Sequence, residues 1–228
     1  MTNRLCSACL QLRPEAFCRY KHIDATTNFQ TSQLSAEFAI YYVLQLPIKL
    51  IYGKIVDGEN LMEFTLRHWQ KEDAKSISQA ANNPNIAKYL RDVFPYPYPL
   101  SDAEFFIELC TQHVNDNQLN YAIVIDSKAV GSISVQVKTD VYRKSAELGY
   151  WLSQEYWGKG VMTAAVKQIC KEAFQKFDIV RIYAEPFAHN AASRKALQNS
   201  GFLLECIMKN AVFKNSQICD CCIYALLK

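Results

Sequence analysis

The sequence predicts an α/β fold, a mixed β-sheet with helices packed against it. Three observations carry this prediction. The last third of the chain alternates strand, helix, strand, helix, strand, which calls for at least one parallel strand pair. The segment after Gly160 has two adjacent i, i+4 apolar rows, as in a helix lying on a sheet. Gly158 and Gly160, with one residue between them, join the preceding strand to that helix, where the backbone needs freedom that side chains forbid.

The elements follow in order. Glu63 to Trp69 reads as a first strand and Lys71 to Ala81 as a helix. Asn83-Pro84 supplies an N-cap and first-turn proline for a short helix to about Leu90. Alternate prolines over Pro95-Tyr-Pro-Tyr-Pro99 exclude helix and central strand and predict a loop with aromatic surface. Ser101 and Glu104 have capping-box spacing before a helix that runs through Phe105, Phe106, Leu109 and Cys110 to about His113. Tyr121–Ile125 and Val130–Val137 are β-rich runs joined by Asp126-Ser127-Lys128, a hairpin signature. Ala146–Leu152 is a further strand.

The helix after Gly160 carries Val161, Ala165, Ile169 and Ala173 beside Met162, Val166, Cys170 and Phe174, leaving Lys167, Lys171 and Glu172 outside. Val180–Glu185 is a strand, and Asn190–Asn199 a helix stopped by Ser200-Gly201. Phe202–Phe213 and Ile218–Leu227 form a closing hairpin around Lys214-Asn215-Ser216.

Composition narrows the function. With 228 residues, 50% hydrophobic and 21% charged, the chain can bury a sizeable core. A net charge of +3 is too small to be an electrostatic footprint for nucleic acid. Nine cysteines, odd in number and irregularly spaced, read as reduced thiols of a cytoplasmic protein. The apolar run Phe38–Tyr52 is about fifteen residues and contains Pro47 and Lys49, short of the roughly twenty a membrane span needs. Cys6, Cys9, Cys18 and His22 have a middle spacing that fits no zinc finger, so no metal is expected. Residues 1–61 show no sustained period; the expected domain is 62–228, with Met62 as the expected natural start and 1–61 as an extension.

The segment richest in chemistry is Glu147-Leu-Gly-Tyr-Trp-Leu-Ser-Gln-Glu-Tyr-Trp-Gly-Lys-Gly-Val-Met-Thr163. A strand ends near Leu152 and the two glycines open a helix, so backbone N–H groups and the helix dipole converge on a place suited to an anion. The spacing is neither that of the dinucleotide fingerprint nor that of a P-loop.

These residues resemble the GNAT acetyltransferases, and within them the Rim-type group related to ribosomal-protein N-terminal acetyltransferases. Trp157-Gly-Lys-Gly160 after Gly149-Tyr-Trp-Leu152 is similar to the pyrophosphate loop. Asn190-Ala-Ala-Ser193 with Ser200-Gly-Phe202 is similar to the second coenzyme A motif. Pro95-Tyr-Pro-Tyr-Pro99 before Asp102-Ala103 is similar to the substrate-side loop. The resemblance spans 62–228. It implies the acyl-CoA N-acyltransferase fold: a twisted mixed sheet of about six to seven strands, with acetyl-CoA between splayed parallel central strands, here Ala146–Leu152 and Val180–Glu185. Pro186, which has no N–H to donate, suits a place where strands have parted.

By the same resemblance, main-chain groups of Trp151 and Leu152 hold the pantetheine and polarise the thioester. Amides of Tyr156, Trp157, Gly158, Lys159, Gly160 and Val161 hold the pyrophosphate, and Asn190 bonds the pantetheine arm. The family's usual Gln or Arg three residues before the first glycine is Glu155 here, and Gln154 is expected to take over its contact.

Direct attack by an amine needs a base, an oxyanion partner and a proton for the departing thiolate. The family's tyrosine, four residues after the serine of the second motif, is replaced by Leu197. By the same resemblance Ser193, which matches a serine proposed for that task in Rim-type enzymes, is the expected acid, or else a hydrogen-bonding partner of the coenzyme or of the helix backbone. Glu147 is the expected base acting through water, with a plain salt bridge as the alternative. His68, His113 and His189 read as structural or solvated, and Cys219, Cys221 and Cys222 as buried thiols.

The expected acceptor is an amine, in the first instance a protein N-terminus. A polyamine, amino acid or aminoglycoside is the close alternative, and a catalytically silent acyl-CoA-binding module the more distant one. A monomer or homodimer is expected.

Overall fold

The computed structural model describes residues 51–57, 60–112 and 117–228. The cysteines and histidine of the early cluster (Cys6, Cys9, Cys18, His22), nearly all of the apolar run and His113 lie outside the described residues.

Among the described residues, eight strands form a single sheet: β1 (Ile51–Asp57), β2 (Asn60–Arg67), β3 (Gln118–Ile125), β4 (Lys128–Val137), β5 (Ser145–Leu152), β6 (Arg181–Ala184), β7 (Leu203–Lys214) and β8 (Gln217–Leu227). Their order is β1-β2-β3-β4-β5-β6-β8-β7. The strand beyond the expected six to seven is β1, which lies before Met62 and pairs antiparallel with β2. β5 and β6 are parallel and every other neighbouring pair is antiparallel. The hairpin turns Asp126-Ser127 and Asn215-Ser216 each have positive φ at the two central residues, as two-residue turns that match strand twist require.

Among the described residues, five helices flank the sheet: α1 (Ala74–Ala81), α2 (Pro84–Ala87), α3 (Leu100–Gln112), α4 (Val161–Lys176) and α5 (Ala191–Asn199). One apolar cluster, with Ile77, Phe94, Phe106 and Ile107, lies on the α1–α3 side. The larger one, with Ile133, Leu148, Ile169, Ile182 and Leu197, lies on the α4–α5 side. Asp73 joins the end of β2 to the first helix: Arg67 meets its carboxylate bidentately, at 2.7 Å for each bond.

Three local readings are corrected. Ser101 is no N-cap, because the Pro99 carbonyl accepts from Asp102 and Ala103 and starts α3 at Leu100. α2 stops at Ala87 rather than near Leu90. Glu172 is buried, not outside, because the Tyr121 hydroxyl on β3 donates to its carboxylate at 3.1 Å. Among the described residues, no helix is long and apolar enough to cross a membrane.

Candidate active site

The pairing of β5 positions the site. On one side it matches β4 along Ala146–Leu152, but on the other it meets β6 only at Ser145, Ala146 and Glu147. Beyond Glu147 the two parallel strands diverge, and a cleft of about 620 Å³ opens between them.

Hydrogen bonds at its two ends fix how β5 presents its backbone. Ser153 N–H donates to Val130 O, and Lys138 N–H donates to Ser145 O. In an unbroken antiparallel ladder, the peptide groups of alternate residues point to the same neighbour. Residues 145, 147, 149, 151 and 153 therefore turn theirs to β4, and 148, 150 and 152 turn theirs into the fork. This corrects the expectation for Trp151. Its main chain is used in the ladder opposite Ser132, although the residue lines the cleft. Leu152 does face the fork, but its carbonyl accepts from the Trp157 indole N–H at 2.8 Å, which leaves its N–H for a ligand.

Side chains alternate as well. Leu148, Tyr150 and Leu152 pack with the α4–α5 cluster, whereas Trp151 packs with the α1–α3 cluster and Glu147 shares its parity. β5 thus shows one face of the cleft to each layer.

At the mouth, Gly158 and Gly160 have φ of +76° and +80°. Gly160 is the N-cap of α4, whose first intrahelical acceptor serves Ala164, so the N–H groups just before it have no partner within the helix. A Cβ on Gly158 would meet nothing within 4 Å, so its surroundings are open. Tyr156, Trp157, Gly158, Gly160 and Val161 line the cleft.

Lys159 does not line it; its ammonium lies over the Tyr156 ring at 5.6 Å. Gln154 is another correction. It lies outside the lining, and its carboxamide oxygen accepts from Asn83 and Asn85 at 2.8 and 3.1 Å, tying the loop to the start of α2. Glu155 accepts from the Ser153 hydroxyl at 3.2 Å and is likewise not in the lining.

On the α4–α5 side, Asn190 caps α5 by accepting from Ser193 N–H at 3.1 Å, so its NH₂ group is the part left for the cleft. Ser193 stands in the next turn with its hydroxyl 2.8 Å from the Tyr150 hydroxyl, a neighbour that the sequence did not reveal. Leu197 is fully buried in the core.

On the other side, Glu147 is held by two cations: Arg91 from the loop after α2 at 2.6 Å and Lys138 from beyond β4 at 3.0 Å. The same Arg91 nitrogen stands 3.2 Å from Glu185. Burial disfavours the charge on Arg91 and Lys138, yet the pKa of each is raised on balance because Glu147 faces both. His189 lines the cleft and stacks obliquely with Tyr89 and Phe187. His68 lies edge-on to Tyr121, outside the lining. Cys221 and Cys222 are buried free thiols and Cys219 is partly buried.

Residues 63–203 match the Acetyltransferase (GNAT) domain. The chain belongs to the GNAT acetyltransferase family. This GNAT enzyme is 27% identical, over 183 residues, to the putative ribosomal N-acetyltransferase YdaF of Bacillus subtilis (strain 168), covering 80% of this chain and 91% of that protein. It is 26% identical to the spermidine N(1)-acetyltransferase of Escherichia coli (strain K12), over 67% of this chain and 79% of that protein. Among solved structures, the microcin C7 self-immunity acetyltransferase MccE, in complex with acetyl-CoA and AMP, superposes with a TM-score of 0.64 at 25% identity, over 72% of this chain and 92% of the other. Mycobacterium smegmatis RimJ, in complex with CoA-disulfide, shares the fold with a TM-score of 0.67, over 77% and 86% of the two chains.

The GNAT domain thus performs acetyl-CoA-dependent N-acetylation, and its geometry fits the cosubstrate. A row of backbone donors at the start of α4 suits a pyrophosphate. The unpaired stretch of β5 offers peptide groups to an extended amide-bearing arm, as a neighbouring strand would.

Proposed function

We propose that the enzyme acetylates the α-amine of a protein or peptide N-terminus. One observation carries this reading. The two carboxylates on the acceptor side of the cleft, Glu147 and Glu185, are both engaged by Arg91, and Glu147 by Lys138 as well. A polyamine brings further ammonium groups that need unneutralised carboxylates nearby; a single α-amine does not. The named likeness to a ribosomal N-acetyltransferase supports the same choice.

Acetyl-CoA supplies the acetyl group as a thioester: the new C–N bond forms as the C–S bond breaks, and the amine's proton ends on the coenzyme thiol. Amides at the start of α4 and the Leu152 N–H bind and orient. Glu147, with a side chain only 15% exposed, takes the amine's proton through water while Arg91 and Lys138 hold its carboxylate in place. Ser193, on the opposite side of the strand, donates to the departing sulfur. An α-amine with an ordinary pKa near 7.7 to 8.0 asks little of the base. A cytoplasmic setting suits the free thiols Cys206, Cys219, Cys221 and Cys222.

The test is coenzyme A release with N-terminal peptides, spermidine and an aminoglycoside as acceptors. Turnover with peptides above that with spermidine is expected. Spermidine as the better acceptor would overturn the choice of substrate, and acetyl-CoA binding without turnover on any acceptor would leave a silent binding module.

A further inference from the structure

We propose that Ser132, Ser134 and Gly149 form a subsite for the first side chain of the acceptor, selecting a short hydroxylated one, serine or threonine. The proposal rests on the reading of the acceptor as a protein or peptide N-terminus.

β4 is an interior strand, and its alternate residues Ile133 and Val135 enter the α4–α5 cluster. Ser132 and Ser134 therefore turn to the α1–α3 side, the face on which Trp151 packs and whose parity Glu147 shares. Both are buried, at 4% and 7% exposure, and both line the cleft. Among the described residues no hydrogen bond engages either hydroxyl. A buried hydroxyl left without a partner is costly, so a pair of them calls for a partner from outside the chain. The next polar residue on the same face shows the ordinary solution. Asn120, opposite Ser134 on β3, accepts from the Trp69 indole N–H at 3.1 Å and donates to Cys110 Sγ at 3.1 Å.

Gly149 gives access to the serines. It pairs with Ser134 across β4 and β5, it is exposed, and a Cβ built on it would lie 3.5 Å from Ser134 Oγ. The missing side chain thus leaves a small recess over the hydroxyl. Trp151, opposite Ser132, and Phe94, edge-on to Trp151 at 5.8 Å, add apolar surface to the lining there. Ser134 is the diagonal neighbour of Glu147, about 7–8 Å away across the strand pair. A water on Glu147, the amine nitrogen and a short side chain bridge that span.

The chemistry of the recess defines what suits it. A serine hydroxyl both donates and accepts, so two of them satisfy a third hydroxyl without any charge. An apolar side chain would displace water and leave both serines unpaired, and a charged one would lose its hydration to neutral partners.

The experiment is coenzyme A release with hexapeptides that differ only in the first residue, serine, threonine, alanine or valine. The parent is expected to prefer serine over alanine by at least about tenfold in kcat/KM. The double variant Ser132→Ala/Ser134→Ala should bring that ratio to about one by raising KM for the serine peptide, with turnover of the alanine peptide retained. Gly149→Ala, which covers Ser134 at an ordinary contact distance, should also lower kcat/KM for the serine peptide. Thermal melting and calorimetric titration of coenzyme A should show both variants folded, with cosubstrate affinity unchanged.

Equal rates on serine and alanine peptides in the parent, or a serine preference that survives in both variants, would overturn the subsite. Turnover of spermidine with none of any peptide would instead overturn the N-terminal reading, and the subsite with it.

Discussion

Arg91 donates to Glu147 at 2.6 Å at the cleft, joining a loop after α2 to the last residue of β5 that pairs with β6. The contact makes one carboxylate serve two ends, as anchor for the loop and as candidate base.

Glu147→Gln keeps the shape and removes the base. We expect kcat/KM to fall by about 10²–10⁴, the usual worth of a positioned general base, and the acidic limb of its pH profile to flatten. Steady-state rates across pH check this; an unchanged limb would reduce Glu147 to a structural anchor.

Arg91→Met removes the guanidinium shared by Glu185 and Glu147 and leaves Lys138 in place at Glu147. Charge-assisted contacts of this kind are worth about 1.5–3 kcal/mol, so spermidine should gain about tenfold in kcat/KM relative to a peptide acceptor. A competition assay with both acceptors reads the ratio, and no change would mean that the guanidinium does not set acceptor preference.

Gly160→Ala forces a side chain into left-handed backbone at φ +80°. That conformation costs about 1–2 kcal/mol for an L-residue, and relaxing it re-aims the first amides of α4. Both a lower Tm and weaker acetyl-CoA binding are expected, by melting and calorimetry. Unaltered affinity would argue that the phosphates lie elsewhere.

Cys170 predicts an alkaline weakness. Burial pushes its thiol up from 9.0 to about 12. The folded state then holds a proton that the unfolded chain releases above pH about 9, so stability falls as pH rises from there towards 12, with a slope of at most about 1.4 kcal/mol per pH unit from this group. Denaturant titrations from pH 8 to 10.5 should show a shallower decline in Cys170→Ala than in the parent.

Most of the architecture was legible because period and punctuation agree along β3 to β8, and the glycine turn before α4 is as the sequence has it. The residues around the chemistry were harder to read. Tyr150 reads as one more apolar residue of a strand, and its hydroxyl acquires meaning only when α5 brings Ser193 back from 43 positions away. Arg91 reads as a loop charge until the chain places it beside Glu147, 56 residues on. Glu172 fooled the helical pattern because a phenol from another strand satisfies it inside. Gln154 was misassigned because a family position says which residue stands in a loop and nothing of the asparagines that compete for it. Tertiary partners decided each of these.

The divergence of β5 from β6 gives the sheet an exposed edge in its own middle. Outer edges invite other chains and are a hazard for aggregation. This one is sheltered, for it is only a few residues long, is closed at one end by the last β5–β6 pairs and is overlooked at the other by the start of α4. A foreign strand has no way to continue past either end. What such a slot admits is a slender, unbranched, amide-containing thread with an anionic tail, so the selectivity for the cosubstrate begins in the way two strands part company, before any side chain is consulted.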